Sequence, residues 1–221
     1  MTARLPKAAI FDFDGVLADS ERLHWRTLAD TLDAHGFPSV TWEQYQRDLM
    51  GFDDRDAFRH ATPAGTSDAA IAACVADKAR RFAALAESGA VPVLPGAADA
   101  VRRCAAASLR LVLCSGALPS DLLPVLRQMG IDHLFAAIVT AEDVERSKPD
   151  PSCYRLSLDR LGLAPQDAIV FEDTIDGISA ARGAGIPVIG IATHLPEDSL
   201  LSAGAQSAAP TLAAAVADIL P

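Results

Sequence analysis

Short apolar runs recur along this chain, and most are followed by a stretch with helical periodicity. The runs cover residues 8–11, 109–114, 136–140, 168–171 and 187–192, each of a length suited to a buried strand. Between them, 97–107, 120–129, 151–161 and 175–184 carry apolar residues at helical spacing. Asp150-Pro151 offers a cap and a first-turn proline, and Gly130, Gly162 and Gly185 follow the last periodic residues as C-terminal glycines do. Such alternation predicts an α/β domain whose parallel sheet is covered by helices on both faces.

The alternation has one gap. The first strand runs out near Asp14, and the rhythm resumes only at Pro92-Val93-Leu94-Pro95-Gly96. Within the gap, 20–35 carries Leu23, Leu28 and Leu32, and 67–86 carries Ile71, Val75, Phe82 and Leu85. This interval reads as helical, with 61–66 as a connecting loop. Two domains are expected: a sheet domain from 1–18 and 90–221, and an all-helical insert over 19–89. The insert is expected to stand over the carboxyl edge of the sheet, where open α/β folds bind ligands. The Ala-rich tail, 202–217, is expected to add a last strand and helix.

Composition narrows the partners. The chain has 221 residues, of which 50% are hydrophobic, enough for a sizeable core. A net charge of −10 argues against nucleic acid and against an anionic membrane surface. The four cysteines, Cys74, Cys104, Cys114 and Cys153, form no C-x-x-C pair, so a reducing cytoplasmic compartment and no zinc site are expected. Arg4 and Lys7 precede the first strand without the apolar stretch of a signal peptide, and no apolar run is long enough to span a bilayer. The acidic, mostly helical insert shows no dimer stripe, and a monomer or weak homodimer is expected.

The first strand carries the most distinctive chemistry. In Phe11-Asp12-Phe13-Asp14-Gly15, side chains two apart on an extended chain point the same way. Asp12 and Asp14 then face one site, Phe11 and Phe13 face the core, and Gly15 permits a sharp turn. Buried like charges are costly unless a cation or proton lies between them, so the pair is poised for metal binding and for nucleophile-plus-acid/base chemistry. Three further segments lie at strand ends or just after them: Leu113-Cys114-Ser115-Gly116-Ala117, Ser147-Lys148-Pro149-Asp150 and Phe171-Glu172-Asp173-Thr174. The first of these offers a hydroxyl and backbone N–H groups to an anion. The second places a cation before a helix, and the third places acids ahead of a helix start at Thr174.

In order and spacing these four segments resemble the four motifs of the haloacid dehalogenase-like phosphatase superfamily, in its subfamily with a helical cap inserted after the first motif. That subfamily includes phosphoglycolate phosphatase, small sugar-phosphate phosphatases and beta-phosphoglucomutase, and the resemblance covers nearly the whole chain. It implies a Rossmann-like, doubly wound parallel core with an all-helical cap domain. It also implies a Mg2+-dependent phosphatase for a small phosphorylated metabolite, of the sugar phosphate or phosphoglycolate class. By position, Asp12 is the implied nucleophile, forming an aspartyl-phosphate, and Asp14 the implied acid/base. Asp12, the Asp14 carbonyl and Asp173, with Glu172 alongside, are the implied Mg2+ ligands. Ser115 and Gly116 are implied to bind the phosphoryl oxygens, and Lys148 to offset their charge. Dehalogenases and phosphonate hydrolases of this superfamily lack an acid where Asp14 stands, so the resemblance points away from both.

The insert adds candidate substrate contacts. His24 matches, by its distance from Asp14, a histidine of beta-phosphoglucomutase, and Lys78 matches a cap lysine. Packing is the alternative for His24, and a solvated face with Asp77, Arg80 and Arg81 is the alternative for Lys78. Arg55 lies one position off the register of a mutase arginine that grips a distal phosphate. Asp53, Asp54 and Asp56 around it are expected to repel a second phosphate, which favours a monophosphate ester and hydrolysis over mutase chemistry. A phospho-accepting signalling module is the non-enzymatic alternative. Such modules pair adjacent acids after the first strand and carry no insert of this size, and the Asp12-x-Asp14 spacing separates the two.

Overall fold

A short segment that is apolar on both faces is stable as a strand only where helices cover its sheet twice. Ala8–Phe11, 0% exposed at every residue, meets that condition as β1. The computed structural model describes residues 5–220, so the N-terminal reading rests in part on residues 1–4, which lie outside the described residues. After β1 come α1 (Glu21–Ala34), α2 (Trp42–Asp48), α3 (Asp54–Ala61) and α4 (Asp68–Glu87). Alternation then begins with α5 (Ala97–Ala106), β2 (Arg110–Cys114), α6 (Pro119–Met129), β3 (Phe135–Val139) and α7 (Ser152–Leu161). It continues through β4 (Ala168–Glu172), α8 (Ile175–Gly183), β5 (Val188–Ile191), α9 (Glu197–Ala203), β6 (Ser207–Ala209) and α10 (Leu212–Ile219). The tail supplies the expected last strand and helix.

Among the described residues the strands form one parallel sheet in the order β3-β2-β1-β4-β5-β6. β1 is central, and its register sets Phe11 beside Leu113 on one flank and Phe171 on the other. The Phe11 and Phe171 rings stack with centroids 5.2 Å apart. The next residue on each strand, Asp12, Cys114 and Glu172, therefore emerges at the same edge. A slip of one residue would turn each of them to the opposite face. β3, an edge strand, keeps only Val139 fully buried.

The extended chain expected to reach Asp14 ends at Phe11. Beyond it the Leu17 and Ala18 N–H groups donate to the Phe13 carbonyl at 2.8 and 3.1 Å, and the Gly15 N–H donates to Ala18 O at 2.7 Å. Gly15, with φ of +71°, supplies the reversal that this turn needs. Phe13 is nonetheless 0% exposed, while Asp14 is half-buried.

The described residues fall into two compact units, 5–19 with 93–220, and 20–92. The sheet unit packs Ile10, Val112, Val170 and Val188 against Tyr154, Leu158 and Ile178 from its helices. The helical unit has its own core, in which Phe58, 0% exposed, meets Leu28, Leu32 and Ile71. Two of its helices, α2 and α3, were not separated by the periodicity because each is too short to show it. Their caps set them off in the structure: Thr41 and Gln44 form a capping box, and Asp53 accepts the Asp56 N–H at 2.9 Å. All four cysteines are buried and free. No helix among the described residues is long and apolar enough to cross a membrane.

Phe58→Ala removes the centre of the helical unit's core. It is expected to cost about 3–5 kcal/mol, read from the urea unfolding midpoint at constant slope.

Candidate active site

The site grows from the carboxyl edge of the sheet unit. β1 delivers Asp12, 6% exposed, and β4 delivers Glu172, 0% exposed, and Asp173, 3% exposed. Burying these acids together calls for a cation, and Lys148, from the loop before α7, supplies one. Its ammonium donates to Asp12 Oδ1 at 2.6 Å, to Glu172 Oε1 at 2.6 Å and to the Cys114 carbonyl at 3.2 Å. These three acceptors match the three hydrogens of the group. The Tyr154 ring lies 5.2 Å beneath the same nitrogen. Burial works against the lysine's charge, but Asp12 and Glu172 more than restore it and hold its pKa well above the usual value.

Glu172 is saturated. Besides Lys148, its Oε1 accepts the Tyr154 hydroxyl at 3.0 Å, and its Oε2 accepts the Thr174 N–H and Oγ1 at 3.0 and 2.9 Å. Thr174 in turn caps α8 by accepting the Gly177 N–H at 3.0 Å. Burial and the adjacent Glu172 hold the Tyr154 phenol well above its ordinary pKa, so it remains a donor. A Cβ at residue 177 would lie 1.7 Å from Glu172 Oε1, so only glycine leaves room for the carboxylate. Gly15 does the same for Asp173, whose Oδ2 would lie 1.9 Å from a Cβ there.

One lysine does not balance the acids. Burial pushes Asp12 well above the usual carboxylate range; Glu172, Asp173 and Asp14 add to this, and Lys148 opposes it. Burial likewise pushes Asp173 up to about 7, against a hydrogen bond from His194, with Glu172 and Asp14 adding to the rise. Asp12, Glu172 and Asp173 offer carboxylate oxygens all within 4.8 Å of one another. Asp173 Oδ1 is buried without a hydrogen-bond partner. An orphaned carboxylate oxygen in an all-oxygen donor group of excess negative charge fits a hard divalent cation such as Mg2+.

Ser115, 3% exposed, follows β2 at the same edge. Its N–H donates to Val139 O at 3.0 Å, and its hydroxyl oxygen accepts the Ala117 N–H at 3.0 Å, which curls the chain around an exposed Gly116. The sheet unit thus brings together Asp12, Ser115, Gly116, Lys148, Glu172 and Asp173, with Asp14 on the turn just past Asp12. Two participants, Tyr154 and His194, escaped the sequence reading. His194 lies three residues past β5, so searching beyond the end of that strand, as for the other strands, would have found it.

The remaining candidates lie in the helical unit. Lys78 is 3% exposed, which excludes the solvated face; its ammonium meets Asp54 Oδ1 at 2.5 Å and His24 Nδ1 at 3.2 Å. The His24 ring stacks on Phe82 with centroids 4.1 Å apart. Arg55 is exposed on α3. The acids beside it are engaged: Asp53 caps α3, Asp54 pairs with Lys78, and Asp56 lies 3.7 Å from Arg59. The expected repulsion of a second phosphate by these three acids is therefore weakened by their own partners.

A family model described as haloacid dehalogenase-like hydrolase matches residues 9–191. Protein CbbY of Rhodobacter capsulatus is 33% identical over 190 residues, covering 83% of this chain and 84% of that protein. The phosphorylated carbohydrates phosphatase of Thermotoga maritima is 30% identical over 205 residues, covering 90% of this chain and 92% of that protein. Among solved structures, a mutant of CbbY from Rhodobacter sphaeroides in complex with xylulose-(1,5)-bisphosphate aligns with a TM-score of 0.84 at 28% identity. It covers 95% of this chain and 96% of that one.

Two outcomes follow from this geometry. Glycine inside a helix normally costs about 1 kcal/mol relative to alanine. At Gly177 the sign reverses, and Gly177→Ala is expected to destabilise by about 1–3 kcal/mol in urea unfolding. The second concerns pH. Asp173 binds its proton more tightly in the folded chain, at about 7, than at the ordinary 3.8. The folded state therefore holds a proton that the unfolded chain releases, and the resulting stability is lost as pH rises across that window. In EDTA the melting temperature is expected to fall from pH 4 toward pH 7, less steeply in Asp173→Asn, and Mg2+ at pH 7 is expected to raise it.

Proposed function

The chain belongs to the haloacid dehalogenase-like hydrolase family and is a phosphoric monoester hydrolase; from that premise we propose that it is a Mg2+-dependent phosphatase of small phosphorylated sugars, working through an aspartyl-phosphate on Asp12. The observation that carries the reading is the bridging of Asp12 and Glu172 by Lys148 beside the orphaned Asp173 Oδ1. Phosphoryl transfer needs a positioned nucleophile, cations against the equatorial oxygens and little else. Support for the sugar class comes from the phosphorylated carbohydrates phosphatase and from the bisphosphate-bound CbbY.

In this reading Asp12 Oδ1 stays bonded to Lys148, which leaves Oδ2 to attack phosphorus. The bond from phosphorus to the ester oxygen breaks, and Asp14 gives that oxygen its proton. A water then attacks the phosphoryl phosphorus, Asp14 takes back a proton, and phosphate leaves with Asp12 restored. The Ser115 hydroxyl and the Gly116 N–H hold phosphoryl oxygens, and Lys148 opposes the charge on both nucleophile and phosphate. Asp12 and Asp173 would hold Mg2+ with the Asp14 carbonyl, while Glu172 keeps Lys148 in place. The cation, when bound, neutralises charge on the transferring group. The helical unit carries the candidate substrate contacts His24, Lys78 and Arg55.

Phosphate release from sugar phosphates, phosphoglycolate and nucleoside monophosphates, with and without Mg2+, tests this reading. Mg2+-dependent release is expected, greatest on a sugar phosphate, falling below about one-thousandth in Asp12→Asn. No release from any ester overturns it. Conversion of a sugar 1-phosphate that requires a bisphosphorylated sugar as primer would make the enzyme a mutase.

A further inference from the structure

The orphaned Asp173 Oδ1 has a counterpart on the same carboxylate. Asp173 Oδ2 accepts the Nδ1–H of His194 at 3.1 Å. A carboxylate turns readily about its last torsion, whose minima are broad. Here Glu172 and Asp14 both press on the group by like charge. A single fixed donor on one oxygen decides which oxygen is left for other business, and His194 is that donor.

His194 is itself held. It sits in the loop that follows β5, and Thr193, its neighbour, donates its hydroxyl to the Gly15 carbonyl at 2.6 Å. The other ring nitrogen, Nε2, faces Asp19 Oδ1 at 3.5 Å. The loop is tied to the sheet by the Ala192 N–H, which donates to Ala209 O at 2.9 Å. Two adjacent residues thus grip the two structures that bound Asp173: Thr193 holds the turn on which the carboxylate rests, and His194 holds the carboxylate. The ring is 24% exposed.

We propose that His194 is a positioning residue that fixes the Asp173 carboxylate with Oδ1 left unpartnered, and that it thereby sets the affinity of this site for a divalent cation. The inference rests on the cation assigned under the proposed function, and on no step of the reaction. Partners that orient ligating carboxylates are typically worth roughly 10- to 100-fold in metal affinity.

The two ring nitrogens allow the role to be separated from packing. An asparagine at 194 places its amide N–H near the Nδ1 position, toward Asp173. A glutamine reaches the Nε2 position, toward Asp19, and is closer to histidine in volume. Mg2+ is titrated calorimetrically into the full chain and into His194→Asn, His194→Gln and His194→Ala, with the melting temperature of each recorded in EDTA. The expected result is a Mg2+ Kd raised roughly 10- to 100-fold in the alanine and glutamine variants and largely restored in the asparagine variant. The melting temperatures are expected not to follow that order. An unchanged Kd in His194→Gln, or a better rescue by glutamine than by asparagine, overturns the proposal, and both variants keep it testable if alanine fails to fold. Wild-type protein that releases phosphate with Mg2+ while the His194 variants bind Mg2+ normally refutes this inference alone. Wild-type protein that binds no Mg2+ refutes the cation reading and this inference with it.

Discussion

One buried ammonium group makes the rest of the site possible. Asp12 and Glu172 are nearly or fully removed from solvent, and each uncompensated charge in such a place costs several kcal/mol. Lys148 bridges them at 2.6 Å on either side. Its reach is possible because the loop that carries it enters α7 beside the end of β2, where the Cys114 carbonyl takes the third hydrogen. Tyr154 and Thr174 then occupy what is left of Glu172, so the unbalanced negative charge is confined to Asp12 and Asp173. The proposed chemistry and the proposed cation both draw on the same deficit.

The deficit is placed by strand register. Because Phe11 pairs with Leu113 and Phe171, the residues that follow all leave the sheet at one edge, on one face. This part was legible in the sequence: apolar runs mark strands, and the residues after their ends are candidates by position. Asp12, Ser115, Glu172 and Asp173 were found in that way, and Lys148 as a cation placed just before a helix. Asp14 was placed on the same extended face as Asp12, but the turn hydrogen bonds onto the Phe13 carbonyl take it off the strand.

What escaped the sequence depends on contacts between elements that periodicity treats separately. Tyr154 is an apolar-face residue of α7 by its spacing, and only the packing of that helix on the sheet shows its hydroxyl meeting Glu172. His194 lies in a loop three residues past β5, beyond the strand-end positions that were weighed. For a related reason the sequence could not separate Lys78 from a solvated face. Its neighbours Asp77, Arg80 and Arg81 form ion pairs along the helix surface, whereas Lys78 turns inward to Asp54 and His24.

The third acceptor of Lys148 is an oxygen of the main chain. Every amino acid at position 114 would present that same oxygen, so the lysine's seat is insensitive to the identity of the residue that provides it. The side chain of Cys114 is 0% exposed and packs in the core with Val112, Val139 and Cys153. Two requirements that meet at one residue are thereby uncoupled. Drift in the packing beneath the sheet can proceed through residue 114 without removing that acceptor, provided the strand keeps its place.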